Sequence, residues 1–218
     1  LDFAGGAVVH INAGVSALAL VLLLGRRKGF PGDAMEPNSI PLVLLGAGLL
    51  WFGWFGFNAG SALSSGGLAA SAFVATNTAA AAAGLTWMFL SWKNRKPAVL
   101  GTVTGAVIGL VAITPAAGFV HPMAAVPIGI VASFISYYSL LFLKTKLKLD
   151  DSLDVFACHG MGGIWGALAT GIFATASVAG FSGVIDGNWA QLGKQALSVL
   201  AVGGYAFVGT LIIGKVLD

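Results

Sequence analysis

Charge is scarce in this chain. Asp, Glu, Lys and Arg make up 9% of its 218 residues, whereas about 25% is usual for a soluble domain. Apolar residues fill the deficit at 57% of the sequence, and the mean hydropathy is +0.92. Since so little charge cannot cover a water-exposed surface, we predict an integral membrane protein without a soluble domain.

Cysteine is almost missing as well. Cys158 is the single one, which excludes an intrachain disulfide and any metal motif built from several cysteines. The formal net charge of +3 is too small to indicate nucleic-acid binding. The chain also lacks a glycine-rich phosphate loop, a Ser/His/Asp set and metal-ligand spacing. The sequence therefore predicts neither an enzyme nor a bound cofactor or metal.

Long polar segments are absent, because short loops separate apolar runs. Runs of about 20 residues are long enough to cross roughly 30 Å of hydrocarbon as helices. Isolated strands would leave backbone groups unpaired in lipid. We therefore predict an all-α, polytopic membrane helical bundle that forms one transmembrane domain over residues 1–218. Its seven expected spans are 3–24, 40–62, 68–92, 98–118, 122–143, 153–176 and 190–216.

Lysine and arginine are distributed unevenly between the loops. Ten of the eleven fall on one side of a seven-span chain: Arg26, Arg27, Lys28, Lys93, Arg95, Lys96, Lys144, Lys146, Lys148 and Lys215. The other side receives only Lys194. Cytoplasmic loops carry the excess of basic residues. We predict a multi-pass protein of the cell (plasma or inner) membrane, with the N-terminus of this chain outside and its C-terminus cytoplasmic.

Two histidines lie in spans that open with similar letters, LDFAGGAVVHINAG with His10 and LDVFACHGMGGIWGA with His159. Ionisable side chains within hydrocarbon are rare and usually functional. Five crossings separate the two spans, so the segments run in opposite directions as inverted copies, which is typical of transporters with a midplane site. We predict that both imidazoles line one narrow path. The alternative is that each only forms an interhelical hydrogen bond.

The aspartates that precede these histidines decide whether the rings can meet. Asp2 lies eight residues before His10, about 12 Å of helix, and Asp154 lies five before His159, about 7.5 Å. These depths leave roughly 10 Å of the hydrocarbon core uncovered. The rings touch only if both carboxylates are drawn inside, where we expect them to cap helix N-termini. Direct contact with a cation is the alternative role.

The second span, LLWFGWFGFNAGSALSSGG, places four notable residues on one helix face at i, i+3, i+4 and i+7. They are Trp54, Phe57, Asn58 and Ser61. Aromatic faces attract cations, and a serine hydroxyl can accept a hydrogen bond. This pattern favours a vestibule for a small hydrogen-bonding cation, with Ser61 nearest the exterior. Packing or lipid-facing aromatics would give the same spacing.

The motifs LDFAGGAVVHINAG, WFGFNAGSA, TPAAGFV and DDSLDVFACHGMGGIWG resemble the ammonium transporter (Amt/Mep/Rh) family along the whole chain. The resemblance implies part of an eleven-span, inverted-repeat fold, of which this chain covers spans five to eleven. A first span already under way by residue 3, without an initial Met, also predicts a portion of a longer protein.

By this resemblance, His10 and His159 are the family's twin pore histidines and Asp2 is the aspartate of its span-five motif. Trp54 and Phe57 are pore-lining aromatics, with Phe57 in the external gate, and Ser61 belongs to the external recruitment site. The resemblance implies ammonium or ammonia as substrate, with methylammonium as a second candidate. It also implies a homotrimer with one pore per subunit and regulation by a PII-type protein on the cytosolic face.

Three other classes fit parts of the pattern. A membrane ammonium sensor of the same fold would share every motif above. A seven-span receptor would share the span count, but the inverted repeat argues against this class. This chain also lacks a lysine midway along the last span, where a retinal Schiff base would form. A membrane haem or metal protein would use the histidines as ligands.

Overall fold

The fold is an all-helical bundle in the computed structural model, which describes residues 1–33, 36–94 and 96–217. Apart from one bridge between Val120 and Ala174, the regular structure within these ranges is helical. The helices are α1 (Asn12–Leu24), α2 (Ile40–Gly60), α3 (Gly67–Asn94), α4 (Val99–Ile113), α5 (Ala125–Thr145), α6 (Gly162–Phe173), α7 (Ala176–Ala179) and α8 (Trp189–Leu217). Short 3₁₀ turns occupy Pro122–Ala124 and Val184–Asp186.

Each predicted span contains one of the longer helical segments. Within the described ranges, five segments are long and apolar enough to cross a membrane unaided: Gly6–Leu24, Ile40–Gly60, Gly67–Lys93, Pro122–Thr145 and Trp189–Leu217. The fourth predicted span holds the shorter helix Val99–Ile113, and the continuous helical segment 156–173 in the sixth is not among these five, so the count of seven crossings stays a prediction. Arg95, one of the ten basic residues on the predicted cytoplasmic side, lies outside the described residues.

Helix α4 ends at Ile113, five residues before the predicted end of its span. Pro115 explains the early end, because proline has no amide hydrogen and its ring clashes with the preceding turn. Just beyond the helix end, two carbonyls accept hydrogen bonds from the start of the chain. Phe3 and Ala4 donate their amides to the carbonyls of Pro115 and Thr114, at 3.0 and 3.2 Å. The chain segment that leads into the first histidine is thereby fixed to the end of α4.

Both histidines lie in π-helical turns. The first turn, π1, covers Gly6–Ile11 and runs directly into α1; the second, π2, covers Phe156–Met161 and runs into α6. Single π turns inside α-helices are rare and are frequent at functional sites. The two turns pack against each other. The inverted repeat expected from the sequence therefore brings two matching irregular turns into contact.

Small residues allow the remaining helices to pack closely. Helices α3, α4 and α5 form one tight group, in which Gly109 and Gly129 both lie against the backbone of Ala79. Helix α8 packs along α1 and α6. Close approach at glycine and alanine is the usual packing mode in lipid, where burial of apolar groups gives little driving force.

The loops that follow α1 and α5 meet at one end of the bundle. Arg27 forms a two-pronged ion pair with Asp150, at 2.9 and 3.0 Å from its Nε to the two carboxylate oxygens. The Nε of Arg26 donates to the carbonyl of Lys148 at 3.0 Å. The Arg27 guanidinium lowers the pKa of the Asp150 carboxyl by hydrogen bonding and by charge. Two of the loops that the charge pattern assigns to one side are thus joined directly.

Candidate functional site

His10 and His159 are in contact across the two π turns. Their Nδ1 atoms lie 3.2 Å apart, and their ring centroids are separated by 5.2 Å. His10 is buried, with 3% of its surface exposed. The structure therefore brings together two residues that are 149 positions apart in the chain, as the inverted-repeat argument expects.

Thr114 organises the far side of His10. Its Oγ1 lies 3.2 Å from His10 Nε2 and 3.0 Å from Trp54 Nε1. The Thr114 hydroxyl hydrogen is already committed, because Oγ1 donates to the carbonyl of Leu110 at 2.7 Å. A threonine oxygen has one hydrogen and two lone pairs. With its hydroxyl hydrogen on the Leu110 carbonyl, Thr114 accepts from both rings, so Trp54 and His10 are the donors in this arrangement.

This network determines which ring nitrogen carries the proton in a neutral pair. His10 donates from Nε2 to Thr114, so its Nδ1 is an acceptor. His159 must then donate from its own Nδ1 to His10 Nδ1. The remaining nitrogen, His159 Nε2, then carries a lone pair and no hydrogen. A fixed chain of donors, rather than the histidines alone, defines their tautomers.

An apolar cavity of about 450 Å³ lies over the two imidazoles. His10 stacks on Trp54 at a centroid distance of 5.2 Å and meets Phe57 edge-on at 6.2 Å. The lining consists of Val9, His10, Ala13, Leu49, Leu50, Gly53, Trp54, Phe57 and His159. Four of the residues proposed from sequence to line a path thus share one cavity, whose walls offer a solute few polar groups besides the imidazoles.

Asp2 caps the first π turn, as predicted. Its Oδ2 accepts the amides of Ala7 and Val8, at 3.0 and 3.4 Å. The other oxygen, Oδ1, is buried without a hydrogen-bond partner among the described residues. The carboxylate thus lies inside the bundle, which is the condition that the depth argument set for His10.

The expected cap at Asp154 is wrong, and Asp151 takes that role. Asp151 Oδ2 accepts the amide of Phe156 at 2.8 Å. Asp154 has a left-handed backbone, with φ of 57°, whereas N-cap residues are extended. Its side chain instead pairs with Lys144 at 2.7 Å. Because both spans open with Leu-Asp, the sequence comparison matched Asp2 with Asp154, three residues after its structural equivalent Asp151.

The spacing between aspartate and histidine indicates Asp151, although the repeated dipeptide Leu-Asp points to Asp154. Asp2 precedes His10 by eight residues, and Asp151 precedes His159 by eight as well. Each also bonds the amide five positions further on, at Ala7 and Phe156. Thr114 offered a weaker signal, as a hydroxyl directly before Pro115 near the end of an apolar span.

Asn58 and Ser61 do not reach the histidine cavity. Asn58 is fully buried and donates from Nδ2 to Thr76 Oγ1 of α3 at 3.0 Å, so it joins two helices. Ser61 follows the last residue of α2 and donates to the carbonyl of Phe57 at 2.8 Å. The lone pairs of the Ser61 oxygen remain available as acceptors. No group of three His, Cys, Asp or Glu suited to a metal occurs among the described residues.

Comparison with known proteins places this arrangement in a family. The model of the Ammonium Transporter Family matches residues 1–218. The chain belongs to the ammonium transporter family. Over 218 residues it is 51% identical to the ammonium transporter Amt1 of Archaeoglobus fulgidus, covering 100% of this chain and 56% of that protein. It is 49% identical over 221 residues to the ammonium transporter of Bacillus subtilis, covering 100% and 54%.

Solved structures agree with the family assignment. Candida albicans Mep2 superposes with a TM-score of 0.91 at 43% identity, covering 98% of this chain and 49% of that one. A protein described as a sensor Amt protein superposes with a TM-score of 0.89 at 34% identity, covering 100% and 55%. The chain spans about half the length of the curated relatives it matches. As a member of a transporter family with membrane-spanning helices, it is a multi-pass membrane protein and not an enzyme.

Proposed function

We propose that this chain lines the path of an ammonium transporter or channel, in which the cavity over His10 and His159 conducts ammonia. The observation that carries the proposal is a pair of hydrogen-bonded imidazoles, 3.2 Å apart, at the base of an otherwise apolar cavity. Such a lining suits a small neutral solute that needs a few hydrogen bonds and little else.

Magnitudes favour ammonia over the bare cation in this cavity. The idealised cost of moving an unpaired ion from water into a low-dielectric interior is on the order of 20 kcal/mol. The lysine amine, with a pKa near 10.4, can stand in for ammonium, and removing its proton at pH 7 costs about 4–5 kcal/mol. Deprotonation before entry is therefore the cheaper route. The freed proton either stays outside, which makes transport electroneutral, or passes along the histidine pair, which makes it electrogenic.

The approach to the cavity runs along α2. In the proposed orientation, with the N-terminus of this chain outside, Ser61 lies nearest the exterior, followed by Phe57 and then Trp54. The aromatic faces attract a cation by about 0.5–2 kcal/mol, and Ser61 offers acceptor lone pairs. Ammonium would thus be gathered before it loses its proton at the entrance.

Assembly and regulation are proposed from the family resemblance alone. We propose a homotrimer in the lipid bilayer with one path per subunit, and a PII-type regulatory protein at the cytoplasmic face. The joined loops that carry Arg27 and Asp150 belong to that face in the proposed orientation. Ammonium is the expected substrate, and methylammonium is a second candidate.

A membrane ammonium sensor is the alternative function. It is favoured by the close structural match to a sensor Amt protein, with a TM-score of 0.89. A sensor would bind ammonium at the same aromatic entrance and would pass little or none of it. Net transport therefore separates the two proposals.

The test is the current on a supported membrane when ammonium is added to proteoliposomes that contain the protein. A saturable current that is shifted or lost in His10→Leu and His159→Leu variants would support transport through the histidine pair. His121→Leu is the matched control, because His121 is exposed just before the 3₁₀ turn Pro122–Ala124 and does not line the cavity.

Other outcomes separate the remaining mechanisms. Absence of current, with internal pH changing faster than in empty liposomes, would indicate electroneutral conduction of ammonia. Currents that survive unchanged in the double histidine variant would rule out the proton relay. If ammonium produces neither a current nor a faster change of internal pH, the sensor would be favoured.

A further inference from the structure

Each histidine is followed four residues later by a glycine. His10 is followed by Gly14, and His159 by Gly163. One helical turn separates residues at i and i+4, so each glycine lies beneath its own histidine on the same face. Glycines that permit close packing are common in membrane helices, but the positions of these two are related by the inverted repeat.

Contacts show what the two glycines touch. A Cβ on Gly14 would overlap the backbone N and Cα of Gly160 and would lie 3.0 Å from the carbonyl carbon of His159. A Cβ on Gly163 would lie 3.1 Å from the backbone N of Ile11 and 3.2 Å from the carbonyl oxygen of Gly6. Backbone therefore lies directly on backbone at Gly14, with no space for a side chain, and close to backbone at Gly163, where a Cβ would be tight.

These contacts are reciprocal. Gly14 touches Gly160, the residue directly after His159, and Gly163 touches Ile11, the residue directly after His10. The π turn of each repeat thus rests on the glycine of the other. The separation of the two turns is set where the backbones meet, one residue beyond each imidazole.

We propose that Gly14 and Gly163 are positioning residues that set the distance between the two imidazoles. The Nδ1 atoms are 3.2 Å apart, at the upper end of the range for an N–H hydrogen bond, about 2.7–3.2 Å. A shift of a few tenths of an ångström between the turns lengthens this bond beyond that range and weakens it. The consequence for transport rests on the proposed function, whereas the effect on the histidine hydrogen bond does not.

Unequal contacts predict a graded response. Gly14→Ala drives a methyl group into backbone atoms of Gly160, which cannot move aside alone, so π2 must shift. Gly163→Ala brings its methyl group within 3.0 Å of Ile11 Cγ1, and that side chain can yield in part. Gly14→Ala should therefore separate the imidazoles, and Gly163→Ala should perturb them less.

The experiment combines histidine NMR with transport. The protein is labelled with ¹⁵N-histidine, and signals are assigned through His10→Gln, His159→Gln and His121→Gln variants. In Gly14→Ala we expect the Nδ1 signals of His10 and His159 to lose their mutual hydrogen-bond shift, while His121 is unchanged. Ammonium flux should fall at least about tenfold, as small misplacements of reacting groups do. Gly209→Ala is the matched control, because a Cβ there meets nothing within 4 Å.

Unchanged His10 and His159 signals in both variants, with flux equal to that of Gly209→Ala, would overturn the proposal. If Gly14→Ala does not fold, the same comparison is made on Gly163→Ala, where a partial shift of both histidine signals is expected and none would overturn it. If the unsubstituted protein shows the hydrogen-bonded signals but no flux, the proposed function fails while the positioning role is still decided by the NMR.

Discussion

Thr114 is the residue on which the tautomers of the site depend. A single hydroxyl accepts from His10 and Trp54 and donates to the Leu110 carbonyl, so all its hydrogen-bonding capacity is used. The sequence contains only a weak signal for this role, a hydroxyl directly before Pro115 in the motif TPAAGFV, and nothing in that motif shows which rings the hydroxyl meets. The acceptor role arises from contacts 60 and 104 positions away in the chain.

Replacing Thr114 by valine keeps the shape and removes the acceptor. Two buried ring donors lose their partner, and an unsatisfied buried donor costs about 1–3 kcal/mol. We expect a lower unfolding temperature in detergent and a reduced ammonium current, because His10 is no longer held with its hydrogen on Nε2. Thr170→Val is the control, since Thr170 is equally buried and donates to the Gly166 carbonyl. Equal effects of the two variants would contradict the proposed role.

At the scale of elements, the two π turns and their caps form the repeated unit. Each turn starts after an aspartate that bonds the amide five residues on, and each carries a histidine eight residues beyond that aspartate. Negative charge at a helix N-terminus is favourable because of the unpaired amides and the helix dipole. The caps therefore fix where each turn begins and so how deep its imidazole lies.

Replacing Asp151 tests the second cap. Asp151→Ala should lower the free energy of unfolding by about 0.5–2 kcal/mol. Asp151→Asn should leave it close to that of the unsubstituted protein, because asparagine caps equally well. Chemical denaturation in detergent measures both, and ammonium flux should fall in the alanine variant only. Asp154→Ala should leave the cap intact, because the side chain of Asp154 pairs with Lys144 instead. A larger loss of ammonium flux in Asp154→Ala than in Asp151→Ala would show that Asp154, and not Asp151, caps π2.

At the scale of the whole molecule, the Arg27–Asp150 pair joins the loops that follow α1 and α5. Asp150 has a nearly buried side chain, with 1% exposed, while that of Arg27 is 48% exposed. Two-pronged arginine–carboxylate pairs are the geometrically specific kind. The pair lies directly beside Asp151, so it also holds the segment that caps π2.

This pair predicts a pH dependence of stability. Arg27 lowers the pKa of Asp150 in the folded protein. The pair therefore stabilises the folded state fully at any pH above the ordinary carboxyl pKa of about 3.9, and this stabilisation is lost as the pH falls through the lowered pKa. Arg27→Gln should therefore lower the unfolding temperature at neutral pH, and the difference from the parent should shrink in acid.

Arg26→Gln is the control for that titration. Arg26 donates to the Lys148 carbonyl, which does not titrate, so its effect should be nearly constant between pH 3 and 8. A difference for Arg27→Gln that stays constant over the same range would show that Asp150 does not titrate against Arg27.

What could be derived at each scale depends on the range of the interaction involved. Trp54, Phe57 and the two histidines were predicted to share a path, and the cavity contains all four. Asn58 was placed on that same face by its spacing, yet it bonds Thr76 of α3. A helix face is wide enough to meet both the cavity and a neighbouring helix, so spacing along one helix cannot separate the two.

The sequence by itself determined the membrane class, the positions of the helical segments and the pairing of His10 with His159. These follow from composition, from run length against bilayer thickness and from an inverted repeat, all of which are local or periodic properties. Only the tertiary structure decided that Asp151 is the cap, that Thr114 sets the tautomers and that Gly14 meets Gly160. Each of these depends on single atoms brought together from distant parts of the chain, and contacts of that kind leave no period in the sequence.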